Sequence, residues 1–268
     1  MDEIFNLKHQ KSLEAQILKE EKIYSRYKSF VSRLKGESDQ EYVNRLRSES
    51  IEYQFVKVGA EYVAFGVSGP IITEHGKFLM IPARVVGGEW GWHYCLVYPD
   101  LECLIDREEI FLRTDSGCLI GMAFNDITCD CKEQLSQAIK TCVDNGSGIV
   151  IEIPSQDGRG GGDYKMANQR IMDELKINTV EAAQMFYVDG TIDRRTYEEC
   201  ILILKALGFN DRHKFFLGTN NPEKIKPFLK SGFKIEPQPI VAEHLNDIAR
   251  SGLSAKAKNW GHILRKAT

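Results

Sequence analysis

One change of texture restricts the fold more than any other feature. Between about residue 51 and residue 116, Val, Phe, Tyr and Ile alternate with Gly and Pro in YVAFGVSGPII, KFLMIPARVV, WHYCLVYPD and EEIFLRTD. A two-residue period cut by turn formers predicts consecutive short strands. From Cys131 the period lengthens. EQLSQAIKTCVDNG reads as a helix, GIVIEIP as a buried strand, and a new helix starts at Tyr164 after the loop DGRGGGD. Another helix follows Arg195, with Tyr197, Ile201 and Leu204 on one face; the strand HKFFLG, the turn TNNP and a helix with Pro222 near its start come next. The expected fold is therefore α/β (α+β), a mixed β half followed by an α/β half.

Ahead of this lies a different stretch. Residues from Lys11 to Ser50 are rich in Glu, Lys, Arg, Leu and Ile, and Leu13, Ile17, Phe30, Val31 and Leu34 suit amphipathic helices. Residues 1–65 are expected to form a helical extension, and residues 66–268 the main domain. With 43% hydrophobic and 27% charged residues the chain has the material for a folded core. Thirty-five basic and 38 acidic side chains leave a net charge of -3. That balance argues against a nucleic-acid binder held by bulk charge and leaves room for a local pocket for a phosphorylated small molecule. No run reaches the roughly 18–20 apolar residues of a membrane span, and MDEIFNLKHQKSLEAQ lacks the apolar middle of a secretion leader. The expectation is a cytoplasmic protein with no membrane partner.

Seven cysteines, at 95, 103, 118, 129, 131, 142 and 200, lack the dense spacing of a disulfide scaffold, which points to reduced thiols or a metal site. Cys118, Cys129 and Cys131 stand out. An extended segment would turn two of them to one side, and a hairpin would return the third. Three thiolates can hold one zinc and leave a fourth position for water, whose pKa falls toward ~7. The same residues also suit small buried apolar positions. The loop from Gln156 to Asp163 leaves a strand and enters a helix, a place for phosphate or a plain flexible turn. Thr219 to Lys224 does likewise, offering hydroxyl, amide and ammonium groups or a simple helix cap. Asp193, Arg194 and Arg195 suit a phosphate grip or a solvated pair. His75, His93, His213, His244 and His262 show no ligand spacing and read as structural or surface residues.

In their order, HGKFLM, HYCLVYPD, RTDSGCLIGMAFNDITCDCKEQL, QDGRGGG, NTVEAA, DRRTY, TNNPEK and AKNWGHIL resemble the GTP cyclohydrolase II family, zinc enzymes that open the guanine ring at the entry to riboflavin synthesis. The resemblance runs from about Gly69 to Leu264. It implies a GTP cyclohydrolase II-like fold in a homodimer, with one zinc per subunit on Cys118, Cys129 and Cys131. Arg113, Thr114, Asp115, Ser116, Gly117 and Gln134 would line the nucleotide site. Asp157, Gly158 and Arg159 would face base and phosphates, with Thr179, Thr219 and Lys224 completing it. Asp193 would be the proton acceptor and Arg195 a nucleophile toward the α-phosphorus. A protonated guanidinium is a poor nucleophile, so charge stabilisation by Arg195 is the physical alternative. The implied reaction opens the imidazole ring of GTP to a formamide, with formate and pyrophosphate release and Mg2+ on the phosphates.

The sequence departs from that family at three telling places. Gly117 stands where the family usually carries glutamate. The loop Ser155-Gln156-Asp157-Gly158-Arg159 has a carboxylate one methylene shorter than the usual Arg-Gln-Glu-Gly-Arg. Arg170 falls where riboflavin-pathway members carry a tyrosine linked to completing formate release, which makes it a third catalytic candidate. These departures predict a divergent member acting on GTP or another purine nucleotide, whose product can be the formamide. Two further roles are compatible with them: a specialised enzyme for a different base, and a nucleotide-binding or sensing protein that keeps a structural zinc without turnover.

Overall fold

A computed structural model describes residues 35–51, 53–162, 164–187, 190, 192–240 and 246–263. The pattern read at Leu13, Ile17, Phe30, Val31 and Leu34 lies outside the described residues, as do His244 and Leu264. Helix α1 (Asp39–Ile51) begins at a reciprocal cap. The Ser38 amide donates to Glu41 Oε2 (2.8 Å) and the Glu41 amide to Ser38 Oγ (3.3 Å). Helical character does not continue to residue 65. Residues 54–65 form the strands β1 (Gln54–Val58) and β2 (Glu61–Phe65), paired antiparallel around Gly59 at φ 63°. Val63, Ala64 and Phe65 are all buried, and their pairing with Ala83 to Val85 ties the hairpin to the sheet.

The remaining strands are β3 (Gly69–Thr73), β4 (Gly76–Val85), β5 (His93–Tyr98), β6 (Glu109–Ser116), β7 (Gly148–Ile153), β8 (Lys214–Gly218) and β9 (Lys234–Gln238). Among the described residues they make one sheet in the order β1-β2-β4-β5-β7-β6-β8-β9, with β3 also paired to β4. Pairings are antiparallel through β5 and on to β7, whereas β7, β6, β8 and β9 run parallel to one another. The two textures thus become two halves of one mixed sheet.

Helices cover both faces of the parallel half, as parallel strands require. The helices include α2 (Leu101–Ile105), α3 (Leu119–Ala123), α4 (Cys131–Asp144), α5 (Tyr164–Leu175), α6 (Thr179–Phe186), α7 (Glu198–Ala206), α8 (Ile225–Lys230) and α9 (Asp247–Trp260); α4 packs on β6 and β7 and α8 on β9, α7 reaches across to β1, β2 and β4, and α6 packs against α5 and α9. Ile110 and Leu112 of β6 join Ile149 and Ile151 of β7 and Cys200, Ile203 and Leu204 of α7 in one buried cluster. Phe111 and Val150 point the other way, into a cluster closed by Ala138 and Cys142 of α4. Each fully buried apolar side chain contributes roughly 1.5–3 kcal/mol. Period-two alternation then sets Arg113 and Asp115 on the α4 face, beyond its apolar part. The carboxyl ends of β6, β7 and β8 lie side by side, and the loops leaving them carry the candidate residues.

Candidate active site

The cysteines converge where β6 ends. Cys118 caps α3, Cys129 sits in the following loop, and Cys131 opens α4. Their sulfurs all lie within 4.8 Å of one another, with Cys118 and Cys129 3.7 Å apart. A short helix and a helix start achieve this, in place of the expected extended segment and hairpin. Gly121 of α3 packs against the triad so closely that a Cβ there would stand 2.7 Å from Cys129 Sγ and 3.0 Å from Cys118 Sγ. Hydrogen bonds from Cys129 and Cys131, then from Lys165, hold Cys118 far below an ordinary thiol, while Cys131 is pushed up by its bonds to the other two. Lys165 Nζ is 2.6 Å from Cys118 Sγ. Three close sulfurs, one readily ionised, in a pocket cleared by a glycine fit the donor set of a zinc ion.

The triad forms part of the wall of a cavity of about 1110 Å3, which also meets Arg113, Asp157, Arg159, Arg195 and Lys224. That volume suits a nucleotide. Arg113 is buried and fully engaged: Nε (2.9 Å) and Nη2 (2.7 Å) donate to Asp115 Oδ1, Nη2 to Gln134 Oε1 (2.9 Å) and Nη1 to the Gly218 carbonyl (2.9 Å). Gln134 in turn donates to Asp130 Oδ2. Ser116 Oγ donates to Gln156 Oε1 (3.1 Å), so the ends of β6 and β7 are tied together.

Gly158 and Arg159 both take left-handed conformations, φ 60° and 62°. For the arginine this costs about 1–2 kcal/mol, and the loop is over-determined around it. Asp157 accepts from the amides of Gly158 (2.6 Å) and Leu119 (3.2 Å), and Lys165 approaches it to 3.6 Å. Arg159 Nη2 donates to Thr179 Oγ1 (3.1 Å), its carbonyl accepts from the Arg194 amide (3.0 Å), and its guanidinium stacks 4.5 Å over Trp260. Thr179 opens α6, whose start is fixed by a capping box between Asn178 and Glu181.

Lys224 is buried, donates to the Thr114 carbonyl (2.9 Å) and sits 5.0 Å over the Tyr197 ring. Burial, then the charges of Arg113 and Arg195, push its ammonium down to about 7. Arg195 reaches the cavity wall, held by Asp193 through Nε (2.8 Å) and Nη2 (2.5 Å). Burial opposes the charge of Arg195, but Tyr197 and Asp193 more than restore it, leaving the guanidinium more firmly protonated than a free one.

Four candidates stand off the wall; one is Asp193, which reaches the site only through Arg195. Arg170 is exposed on α5, while Asn168 and Gln169 of the same helix line the cavity. Thr114 turns its buried side chain to the opposite face of β6 from Arg113 and Asp115. Thr219 Oγ1 accepts from the Asn221 amide (3.0 Å) and serves its own turn. The structure also adds Lys165, Gln156, Trp260 and His262 to the site. Burial, then Lys256, push His262 down to about 4, and its Nδ1 is buried without a partner. Its isolated place in the sequence hid it. The signal was the AKNWGHIL segment, which α9 and the Ile263 amide, donating to the Asn220 carbonyl (2.9 Å), bring back over the cavity.

A mixed sheet with thiols, carboxylates and stacked cations at the carboxyl ends of its parallel strands defines the class: an α/β protein with a metal-competent nucleotide-sized site. The GTP cyclohydrolase II family pattern matches residues 67–239. Curated relatives named GTP cyclohydrolase-2 include one from Buchnera aphidicola (subsp. Baizongia pistaciae), 31% identical over 72% of this chain and 92% of its own length. Another, from Pasteurella multocida, is 32% identical over 72% of this chain and 84% of its own. A third, from Hahella chejuensis, is 30% identical over 75% and 93%. The chain belongs to the GTP cyclohydrolase II family, as a divergent, GTP cyclohydrolase II-like hydrolase. No helix among the described residues is long and apolar enough to cross a membrane.

Proposed function

We propose that this chain is a zinc-dependent hydrolase that opens the imidazole ring of GTP or a close purine nucleotide and releases pyrophosphate, with Mg2+ on the phosphates. The observation that carries the reading is the thiol triad of Cys118, Cys129 and Cys131 in the wall of the same cavity as Arg113, Arg159, Arg195 and Lys224. Zinc held there supplies a Lewis acid able to activate water near neutral pH.

The protein's own groups divide the rest of the work. Asp157, anchored by two amides, keeps lone pairs for the donor edge of a purine. Lys224 and Arg159 meet the phosphates, and Arg113 stiffens the floor through Asp115 and Gln134. A firmly protonated Arg195 supports charge stabilisation of the departing pyrophosphate over nucleophilic attack, with Asp193 holding its orientation. Arg170, turned out of the cavity, supports a product that keeps its formyl group. The proposal extends to a cytoplasmic homodimer in which the residues ahead of the sheet are an appendage to the catalytic domain.

Incubating the zinc-loaded protein with GTP and Mg2+ tests this. Purine absorbance should fall, and mass spectrometry should find pyrophosphate and a formylamino-pyrimidine. Intact GTP and intact related purine nucleotides would refute it.

A further inference from the structure

Behind the cavity wall a carboxyl group that no role above uses stands beside Asp115, which lines it. Glu152 of β7 is in register with Asp115 of β6 and Tyr94 of β5, so its side chain shares the face of Arg113 and Asp115. Its Oε1 lies 2.9 Å from where a Cβ on Gly117 would be, and Pro154 Cα lies 2.7 Å from the same point. A side chain at residue 117 is therefore shut out, and the carboxyl of the neighbouring strand takes the space.

Glu152 Oε2 is buried without a donor. Arg113 directs both its Nε and Nη2 to Oδ1 of Asp115, which leaves Oδ2 for a second partner. The charged or titratable groups facing Glu152 are Asp115 and Arg113 on β6, Lys224 beyond β8 and Tyr94 on β5. Burial, then the charge of Asp115 and the hydrogen bond to it, raise Glu152 to about 9, with Arg113 and Lys224 acting weakly in the other direction. Two adjacent carboxylates in such a place share a proton.

We propose that Glu152 is a positioning residue: as a neutral acid it donates a hydrogen bond to Asp115 and thereby fixes the Asp115–Arg113 pair that floors the nucleotide cavity. Loss of its proton sets a second negative charge against Asp115 and beneath an incoming polyanion, which weakens binding. The inference rests on the nucleotide-processing function proposed above.

Glu152→Gln and Glu152→Leu in the full chain test it, with zinc content and thermal unfolding as folding checks. An amide can donate where the neutral acid does, so Glu152→Gln should cost at most about threefold in kcat/KM, whereas Glu152→Leu should raise KM by about tenfold or more. An alkaline limb near pH 9 should be present in the unchanged protein and absent in Glu152→Gln. Equal losses in the two variants, no loss in Glu152→Leu, or a limb that survives in Glu152→Gln overturns the assignment. Titration of the carbon-13-labelled Glu152 carboxyl is independent of turnover. A midpoint near 9 supports the shared proton even if no nucleotide is processed, and a midpoint near the ordinary ~4.3 refutes it.

Discussion

Lys224 gives the account a number that binding can read. Its ammonium is buried, lies close to Arg113 and Arg195, and titrates at about 7 in the free protein. At pH 8 it is therefore only about one-tenth protonated. A triphosphate seated against it supplies the missing negative charge and returns it toward its ordinary ~10.4, which corresponds to roughly 4 kcal/mol of interaction. Binding of a non-hydrolysable GTP analogue should then take up about 0.9 proton at pH 8, about 0.5 at pH 7 and under about 0.1 at pH 6. The sign follows from the direction of the shift. Between pH 7 and 10 the free protein holds fewer protons than the complex, so affinity should fall by up to about tenfold per pH unit as pH rises. Calorimetry in two buffers of different ionisation enthalpy measures the uptake, and Lys224→Met should abolish it. Binding without proton uptake at pH 8 would mean that the phosphates do not reach Lys224, and the placement of the nucleotide would be wrong.

Gly121→Ala should lower zinc content well below one per chain by elemental analysis, because the added methyl would lie within 3.0 Å of two of the three sulfurs; full zinc occupancy would contradict the triad as the metal site. Phe111→Ala removes a side chain buried between β6 and α4 and should cost about 3–5 kcal/mol in denaturant unfolding. A loss under about 1 kcal/mol would show that this face of the core is not packed as described. Asn178→Ala deletes one half of the capping box that opens α6 and should destabilise by about 1 kcal/mol while loosening Thr179 from Arg159, read as weaker nucleotide binding.

What could be read ahead of the structure was what depends on local period and on spacing. β4, β5 and β6 fall where the apolar alternation of KFLMIPARVV, WHYCLVYPD and EEIFLRTD places them, and β7 where GIVIEIP reads as a buried strand. The thiol set was visible because Cys118, Cys129 and Cys131 crowd a short stretch, but how they meet was not. That depends on Cys118 and Cys131 taking helix-start positions at α3 and α4 and on the clearance at Gly121. Residues 54–65 fall within the bounds expected for the helical extension although YVAF already reads as strand, and their two strands belong to the sheet. Short strands carry a weaker signal than long helices, and the pairing with β4 is a tertiary contact. Lys165, Glu152 and His262 are ordinary residues until the chain folds. They enter the site through burial and cross-strand register, which no single segment encodes. Arg170 shows the converse: its position in an ungapped comparison suggested chemistry, and the helical phase of α5 turns it to solvent while Asn168 and Gln169 face inward.

The most direct measurement pairs metal content with product mass. Purified protein should carry about one zinc per chain, lost in Cys118→Ser, Cys129→Ser and Cys131→Ser, and only the zinc-bearing form should turn GTP into pyrophosphate and a ring-opened pyrimidine. Ring opening that persists at full rate in zinc-free variants of those cysteines would contradict the central claim.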